Sequence, residues 1–359
     1  MGTNRRVYYA IQQVKIGNGN NATAVHGLQS VGITTNFNLE QVFELGQLEI
    51  YQNVEEVPDV EVTLNKVLDG YPLIYVLATE KGDPGSENAT LSGRQNARAN
   101  LELSIFSDNK NSATGDSQTS VLCGGMYVSS VSYTFPVDGN FTEDVTLVGN
   151  DKVWGSAVSG SFASNNDSPV ASTKVGRRQF LNVTNCRFPS QIPGVDDSGV
   201  IGDKVAGSGF GAHFQNITVS CDLGREAINE LGSFAPYHRY VTFPVEVTSE
   251  FEIVATDAGD QVQASEEGYY GADGTAYSGD GACDYRFNLL DQGIYLETCE
   301  GTKINLGRKN KLTSVNYTGG DTGGGNVTVT YSYTTYNDFT VAHSGGDYYN
   351  DVSSSGLYG

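Results

Sequence analysis

Leu28-Gln29-Ser30-Val31-Gly32-Ile33-Thr34-Thr35-Asn36-Phe37 runs on through Glu40, Val42 and Glu44 to Leu45-Gly46. The same design returns 186 positions later as Phe214-Gln215-Asn216-Ile217-Thr218-Val219-Ser220-Cys221-Asp222-Leu223, running on through Glu226, Ile228 and Glu230 to Leu231-Gly232. Only five of nineteen residues are identical across 28–46, so the order of further matches counts for more. Tyr51 and Pro58 match Tyr237 and Pro244, and after a one-residue slip Val60-Glu61-Val62-Thr63 matches Val245-Glu246-Val247-Thr248. Arg5-Arg6 is echoed by Arg177-Arg178, Ser130-Val131-Ser132-Tyr133-Thr134 by Ser314-Val315-Asn316-Tyr317-Thr318, and Gly139-Asn140-Phe141-Thr142 by Gly325-Asn326-Val327-Thr328. Blocks kept in one order, with length changes in Gly/Asp/Ser stretches, are what duplication and loop drift produce. A repeat this long is a whole domain, well beyond the roughly 20–50 residues of a solenoid unit.

The length of 359 residues suits two domains. The repeat places the first at 1–154 and the second at 174–342, joined by a Gly/Ser-rich linker at 155–173 and followed by a flexible tail at 343–359. Each half is long enough to bury a core without disulfides. The second half carries about fourteen extra residues centred on 191–199, and an acidic Gly/Tyr-rich insertion at 257–284. Loops of that length are uncommon unless functional or disordered.

Most of each half reads as strand. Val57–Leu64, Leu101–Phe106, Tyr127–Tyr133 and Val245–Ile253 alternate apolar with polar residues, the period of a sheet with one dry and one wet face. Val137-Asp138-Gly139-Asn140 and Gly323-Gly324-Gly325-Asn326 supply hairpin turns. The segments 38–46 and 224–232 lack alternation, are rich in helix formers and end in glycine, which predicts one short helix in each half. The expected fold is all-β: two tandem barrel or sandwich domains, each with one short helix. On those helices Glu40/Glu44 and Glu226/Glu230 would share a face at i,i+4, a slightly unfavourable spacing for like charges. Arg5-Arg6 and Arg177-Arg178 are their candidate partners.

A formal net charge of −21, spread along the chain, excludes nucleic-acid binding by phosphate neutralisation, which needs clustered Lys and Arg. The same charge keeps the chain soluble before assembly and repels nucleic acid. The five cysteines, Cys123, Cys186, Cys221, Cys283 and Cys299, form no CxxC and read as reduced, partly buried thiols, with a Cys283–Cys299 bridge as the alternative. No apolar run is long enough for a signal peptide or membrane span; Tyr71–Ala78 is too short and contains Pro72.

No catalytic constellation emerges. His26, His213, His238 and His343 show no metal-ligand spacing, and His26 and His213 precede equivalent strands, which favours a structural role. No G-x-S-x-G occurs, and Gly17-Asn18-Gly19-Asn20-Asn21 reads as a hairpin tip, since no Lys-Ser/Thr follows. Asp257, Asp260, Asp273, Asp280 and Asp284 do not fit a calcium loop. A glycosidase would need an acid pair in an aromatic-rimmed cleft, and the single tryptophan, Trp154, lies near the linker. The expected catalytic, cofactor-binding and metal residues are therefore none, and the chain reads as a building block.

In the order of its elements, the segment opening at Leu28, through Leu45-Gly46, Tyr51 and the Pro58-Asp59-Val60-Glu61-Val62 strand, resembles the tail tube proteins of long-tailed bacteriophages. The likeness spans about 5–150 and 175–342 and is a pattern, with no single diagnostic motif. It implies a structural virion protein assembled in the host cytoplasm. Three doubled chains would close a pseudo-sixfold ring, and stacked rings would form a channel through which genomic DNA passes without specific binding. Terminator, tape-measure and distal tail proteins would be its partners, with no membrane involved. A distal tail or baseplate hub ring is the nearest alternative, and a non-viral contractile injection tube is a third possibility. A carbohydrate-binding adhesin using Tyr269-Tyr270, Tyr285 and Tyr348-Tyr349 is the alternative from another class.

Overall fold

The computed structural model describes residues 6–18, 21–79, 89–91, 96–107, 117–155, 175–196, 198–201, 211–255, 291–319 and 325–343. The linker, the 257–284 insertion with its aspartates and Cys283, the tail beyond His343 and the tyrosines proposed for glycan contact lie outside these residues.

The alternating segments form an antiparallel sheet whose main path has eight strands: Leu28–Asn36, Asp59–Val67, Thr142–Gly149, Thr119–Pro136, Phe214–Asp222, Glu246–Val254, Thr328–Tyr336 and Lys311–Thr318. The first four and the last four follow the same order. Their irregularities match as well. The first strand skips a residue between Leu28 and Ser30, and Phe214–Asp222 does so between Phe214 and Asn216. Thr119–Pro136 skips between Val128 and Ser130, and Lys311–Thr318 between Leu312 and Ser314. Bulges at equivalent places keep the apolar face turned inward on both sides of the kink. The pairing also corrects one match. Val60 pairs with Thr35, and its counterpart paired with Cys221 is Val247, two residues beyond the Val245 expected from sequence.

The two halves share one continuous sheet, and no barrel closes among the described residues. The joint is the pairing of Thr119–Pro136 with Phe214–Asp222. Behind the main path, the 18-residue strand Thr119–Pro136 bends at Gly125, which has φ +60°, and its first part pairs with Ala99–Ile105 and Asp151–Gly155. A second sheet of Tyr295–Glu297, Thr302–Asn305, Thr340–His343 and Ala89–Thr90 mixes the halves again. A single apolar cluster runs through both, from Val62, Leu64 and Tyr133 to Phe251, Ile304 and Tyr331.

The predicted helices at 38–46 and 224–232 are absent. Leu39–Phe43 pairs with Ile50–Glu55, and Arg225–Ile228 with His238–Val241, as hairpins projecting from the sheet. Neither face of the first hairpin is buried, so no period-two pattern betrays it. Gly46 and Gly232, read as helix ends, have φ +95° and +88° and serve the turns. An α-helix forms at Ile74–Thr79, within the apolar run set aside as too short for a membrane span. Among the described residues no helix is long and apolar enough to cross a membrane. The extra residues near 191–199 fold onto the core: Ile192 is fully buried, and Asp196 Oδ1 accepts from the Ser198 and Val200 amides.

Candidate functional site: the polar face and open edges of the main sheet

Period two sends Val60, Val62 and Leu64 inward and Asp59, Glu61, Thr63 and Asn65 outward, and the other strands do likewise. The outward face is built of Ser, Thr and Asn hydroxyls and amides with seven carboxylates, those of Asp59, Glu61, Asp144, Asp222, Glu246, Glu250 and Glu252. At its middle lies an open depression of about 410 Å³ bordered by Ser132, Asp144, Thr146, Ser220, Asp222 and Thr248, straddling the joint between the halves. The cations at its margin are neutralised: Arg239 pairs with Asp59, and Lys311 with Asp291 at 2.9 Å. Among the described residues this face would repel a polyanion.

The internal joint is fully dry on its inner side. Val219 faces Tyr133 and Cys221 faces Val131, all buried, and Ile217 faces Phe135. Burial pushes the Cys221 thiol up to about 12, and those of Cys123 and Cys186 to about 11 and 12, so all three are inert thiols. Cys299 is free and exposed.

The second hairpin crosses this joint and locks it. Arg225 donates to the Val128 carbonyl at 2.7 Å and lies over the Tyr127 ring at 5.2 Å. Tyr127 Oη and His238 Nδ1 are 3.1 Å apart. Arg239 reaches Asp59 and also donates to Asn150 Oδ1 at 3.1 Å. Burial raises the Asp59 pKa, but hydrogen bonds from Asn38, Arg239 and Asn150, with the Arg239 charge, outweigh it and hold the carboxyl below its usual range. Burial lowers the Arg225 pKa to about 10, which leaves it cationic at neutral pH.

At the two ends of the path, Leu28–Asn36 and Lys311–Thr318 have no second pairing strand among the described residues. Antiparallel pairing at every step makes Leu28–Asn36 and Phe214–Asp222 run in the same direction, so both hairpins leave from one end of the sheet. Their turns expose Leu45 and Leu231 completely, with Leu48, Phe234, Tyr51 and Tyr237 beside them.

The residues singled out from sequence fall elsewhere. Glu40, Glu44, Glu226 and Glu230 do not form i,i+4 pairs on a helix, since the segments are hairpins. Arg177 donates to Asn140 Oδ1 at 3.0 Å and Arg178 lies 3.7 Å from Asp138, so that pair serves the 138–140 turn and not the glutamates. Arg5 lies outside the described residues. His26 stacks on Tyr71 with ring centres 4.1 Å apart. His343 joins the halves through contacts with the Gly70 carbonyl and Thr302.

Beside His343, the seam holds ionisable groups that the sequence did not flag. Lys66, fully buried, pairs with Asp69. Glu300 is also fully buried, and among the described residues neither carboxylate oxygen has a partner in hydrogen-bonding geometry. A side chain at Gly176 would begin 3.0 Å from Glu300 Oε1. Burial pushes the Glu300 pKa up to about 7, opposed by its own amide, Thr298 and Lys66 and reinforced by Asp69. Burial lowers His343 to about 4, against the Gly70 carbonyl, with Lys66 lowering and Asp69 raising it. Relative to an unfolded value near 4.5, the contribution of Glu300 is complete below that pH and is lost as pH rises through 7. Relative to 6.5, that of His343 is complete above that pH and is lost as pH falls through 4. The thermal midpoint is therefore expected to peak at about pH 5–6. Glu300→Gln should flatten the alkaline limb between about pH 5 and 8. An unchanged alkaline limb in melting curves of that variant would count against Glu300 as its source.

No protein-family model matches the chain, and no curated protein matches it in sequence. Among solved structures, the chain is similar to the tube-terminating cap of the anti-feeding prophage, with TM-score 0.33 and 13% identity over 44% of this chain and 95% of that one. It is also similar to the sheath/tube terminator of an extracellular contractile injection system, with TM-score 0.31 and 12% identity over 43% and 99%. A chain of the anti-feeding prophage baseplate gives TM-score 0.31 and 12% identity over 43% and 97%. Overlaps this slight fix neither the fold nor the role of the present chain.

Proposed function

We propose that the chain is a structural subunit of a phage-type tail tube, a doubled unit of which three copies close a pseudo-sixfold ring. The internal joint carries this reading. Thr119–Pro136 and Phe214–Asp222 pair across it, and their counterparts Lys311–Thr318 and Leu28–Asn36 are the two open edges. Joining the open edge of one chain to that of the next repeats a contact the chain already makes with itself. Such a head-to-tail contact closes into a ring when the rotation permits, and it removes the aggregation hazard of long bare edges.

By the offsets of the repeat, Ile33 of one chain faces Tyr317 of the next, with Thr35 facing Val315 and Thr34 facing Asn316. Tyr133 is 0% exposed at the internal joint, whereas Tyr317 is 49% exposed, which is the surface ring closure would cover. The acidic, hydroxyl-bearing face then lines the channel and lets DNA slide. Both leucine-tipped hairpins project from one end of the ring toward the next ring in the stack.

Negative-stain microscopy of purified protein, with class averages and rotational analysis, tests the reading. Threefold rings stacked into tubes are expected. Single rings that never stack would favour a hub ring, and monodisperse monomers at all concentrations would overturn the proposal.

A further inference from the structure

We infer that the chain-to-chain joint is chemically distinct from the internal joint, and that it requires an uncharged root, Leu39, on the incoming hairpin opposite Lys311. This rests on the ring reading above and adds what the contact between chains demands of its side chains.

Pairing registers define the equivalent positions without reference to side chains. Val148 pairs with Tyr127, and Thr334 with Lys311, so Lys311 stands where Tyr127 stands in the first half. Leu39 pairs with Glu55 and Arg225 with Val241, which makes Leu39 the counterpart of Arg225; likewise Asn53 corresponds to Arg239 and Gln52 to His238. Glu246 and Tyr336, which pair, correspond to Asp59 and Asn150.

At the internal joint a cation, Arg225, lies over an aromatic ring, and a second cation, Arg239, meets Asp59. At the chain-to-chain joint both cations are gone from the incoming hairpin. Leu39 meets Lys311, whose charge is held by Asp291, and Asn53 meets Glu246. An arginine at the position of Leu39, such as Arg225 in the second half, would stand against Lys311. Like charges placed together at an interface weaken it, so the first-half hairpin carries leucine where the second-half hairpin carries arginine.

Full-length wild type, Leu39→Arg, Lys311→Tyr and the double variant, each checked for an unchanged melting curve, are compared by sedimentation and microscopy. Leu39 is exposed and Lys311 lies on an open edge, so the fold should tolerate these changes. Leu39→Arg is expected to raise the concentration needed for rings by about tenfold or more. Lys311→Tyr should assemble like wild type, and the double variant should restore or exceed wild-type assembly because it recreates the arginine-on-tyrosine contact of the internal joint. Rings in wild type that are indifferent to Leu39→Arg, or a double variant no better than Leu39→Arg alone, would overturn the inference while leaving the ring reading intact. Absence of rings in wild type would overturn both.

Discussion

Ile33→Lys is expected to abolish ring formation while leaving a folded monomer. Ile33 lies on the open edge strand Leu28–Asn36, paired on one side with Val62 and half-buried in the isolated chain. Its counterpart Val219 is fully buried against Tyr133 at the internal joint. Closing the ring would carry the new ammonium into that apolar seam opposite Tyr317, and burying an unpaired charge costs several kcal/mol. At about 1.4 kcal/mol per tenfold, each joint weakens by roughly a hundredfold or more. In the monomer the side chain can bend into solvent, and lysine on an edge strand is a natural way of keeping edges apart.

Thr34→Lys is the control, because successive residues on a strand point to opposite faces. It puts the same charge on the wet face opposite Asn316, and rings should survive. Sedimentation velocity on both variants decides the matter; Ile33→Lys forming rings as readily as wild type would rule out this edge as the contact. Hydrogen exchange gives an independent readout, since amides of Leu28–Asn36 and Lys311–Thr318 should gain protection together only when rings form.

Much of this architecture is written in the chain. Alternation in Val60-Glu61-Val62-Thr63-Leu64 specifies a strand and its faces, and the 186-residue offset, kept with only small slips, specifies that the strand order recurs. Continued one step, the same alternation places Lys66 inward, a signal for a buried cation that composition alone hides. The hairpin at 39–55 was illegible because its side chains are exposed on both faces, leaving propensity as the only cue, and Leu, Glu and Gln favour helix. The helix at 74–79 is apolar on nearly every side and follows Pro72, so its periodicity cannot be told from that of a buried strand. The joint between the halves lay beyond sequence altogether. It depends on which strand of one half meets which strand of the other, and no local pattern encodes that choice. The lock made by Arg225, Arg239 and Asp59 draws on residues up to 180 positions apart and became visible only with the topology.

Glu143→Ala is expected to cost about 3–5 kcal/mol of stability, the largest effect of any single side-chain truncation considered for this chain. Glu143 points inward from Thr142–Gly149 and is fully buried, with Lys66 and Tyr133 as its cross-strand neighbours. Its carboxylate accepts from the Ile74 amide at 2.7 Å, the Tyr75 amide at 3.0 Å and the Tyr133 hydroxyl at 3.0 Å. Burial pushes its pKa up, opposed by the two amides, Lys66 and Tyr133. Ile74–Thr79 has only six residues, too few to hold itself, since isolated helices shorter than about 12–15 residues are marginal. Glu143 therefore supplies the acceptor that its first amides lack. Truncation would leave three buried donors unmet, each at about 1–3 kcal/mol, and would remove a carboxylate that offsets the buried Lys66 charge. In the second half Val329 and Ile253 occupy the positions of Glu143 and Lys66, both fully buried. The polar pair is thus a device of the first half, built around its helix, and not a requirement of the sheet. Urea unfolding should show a lower midpoint for Glu143→Ala, with Glu143→Gln intermediate because one acceptor oxygen remains. Ile74 and Tyr75 amides should exchange faster in both variants. A loss below about 1 kcal/mol, the level of an ordinary exposed hydrogen bond, would mean that the helix is anchored by its apolar contacts alone.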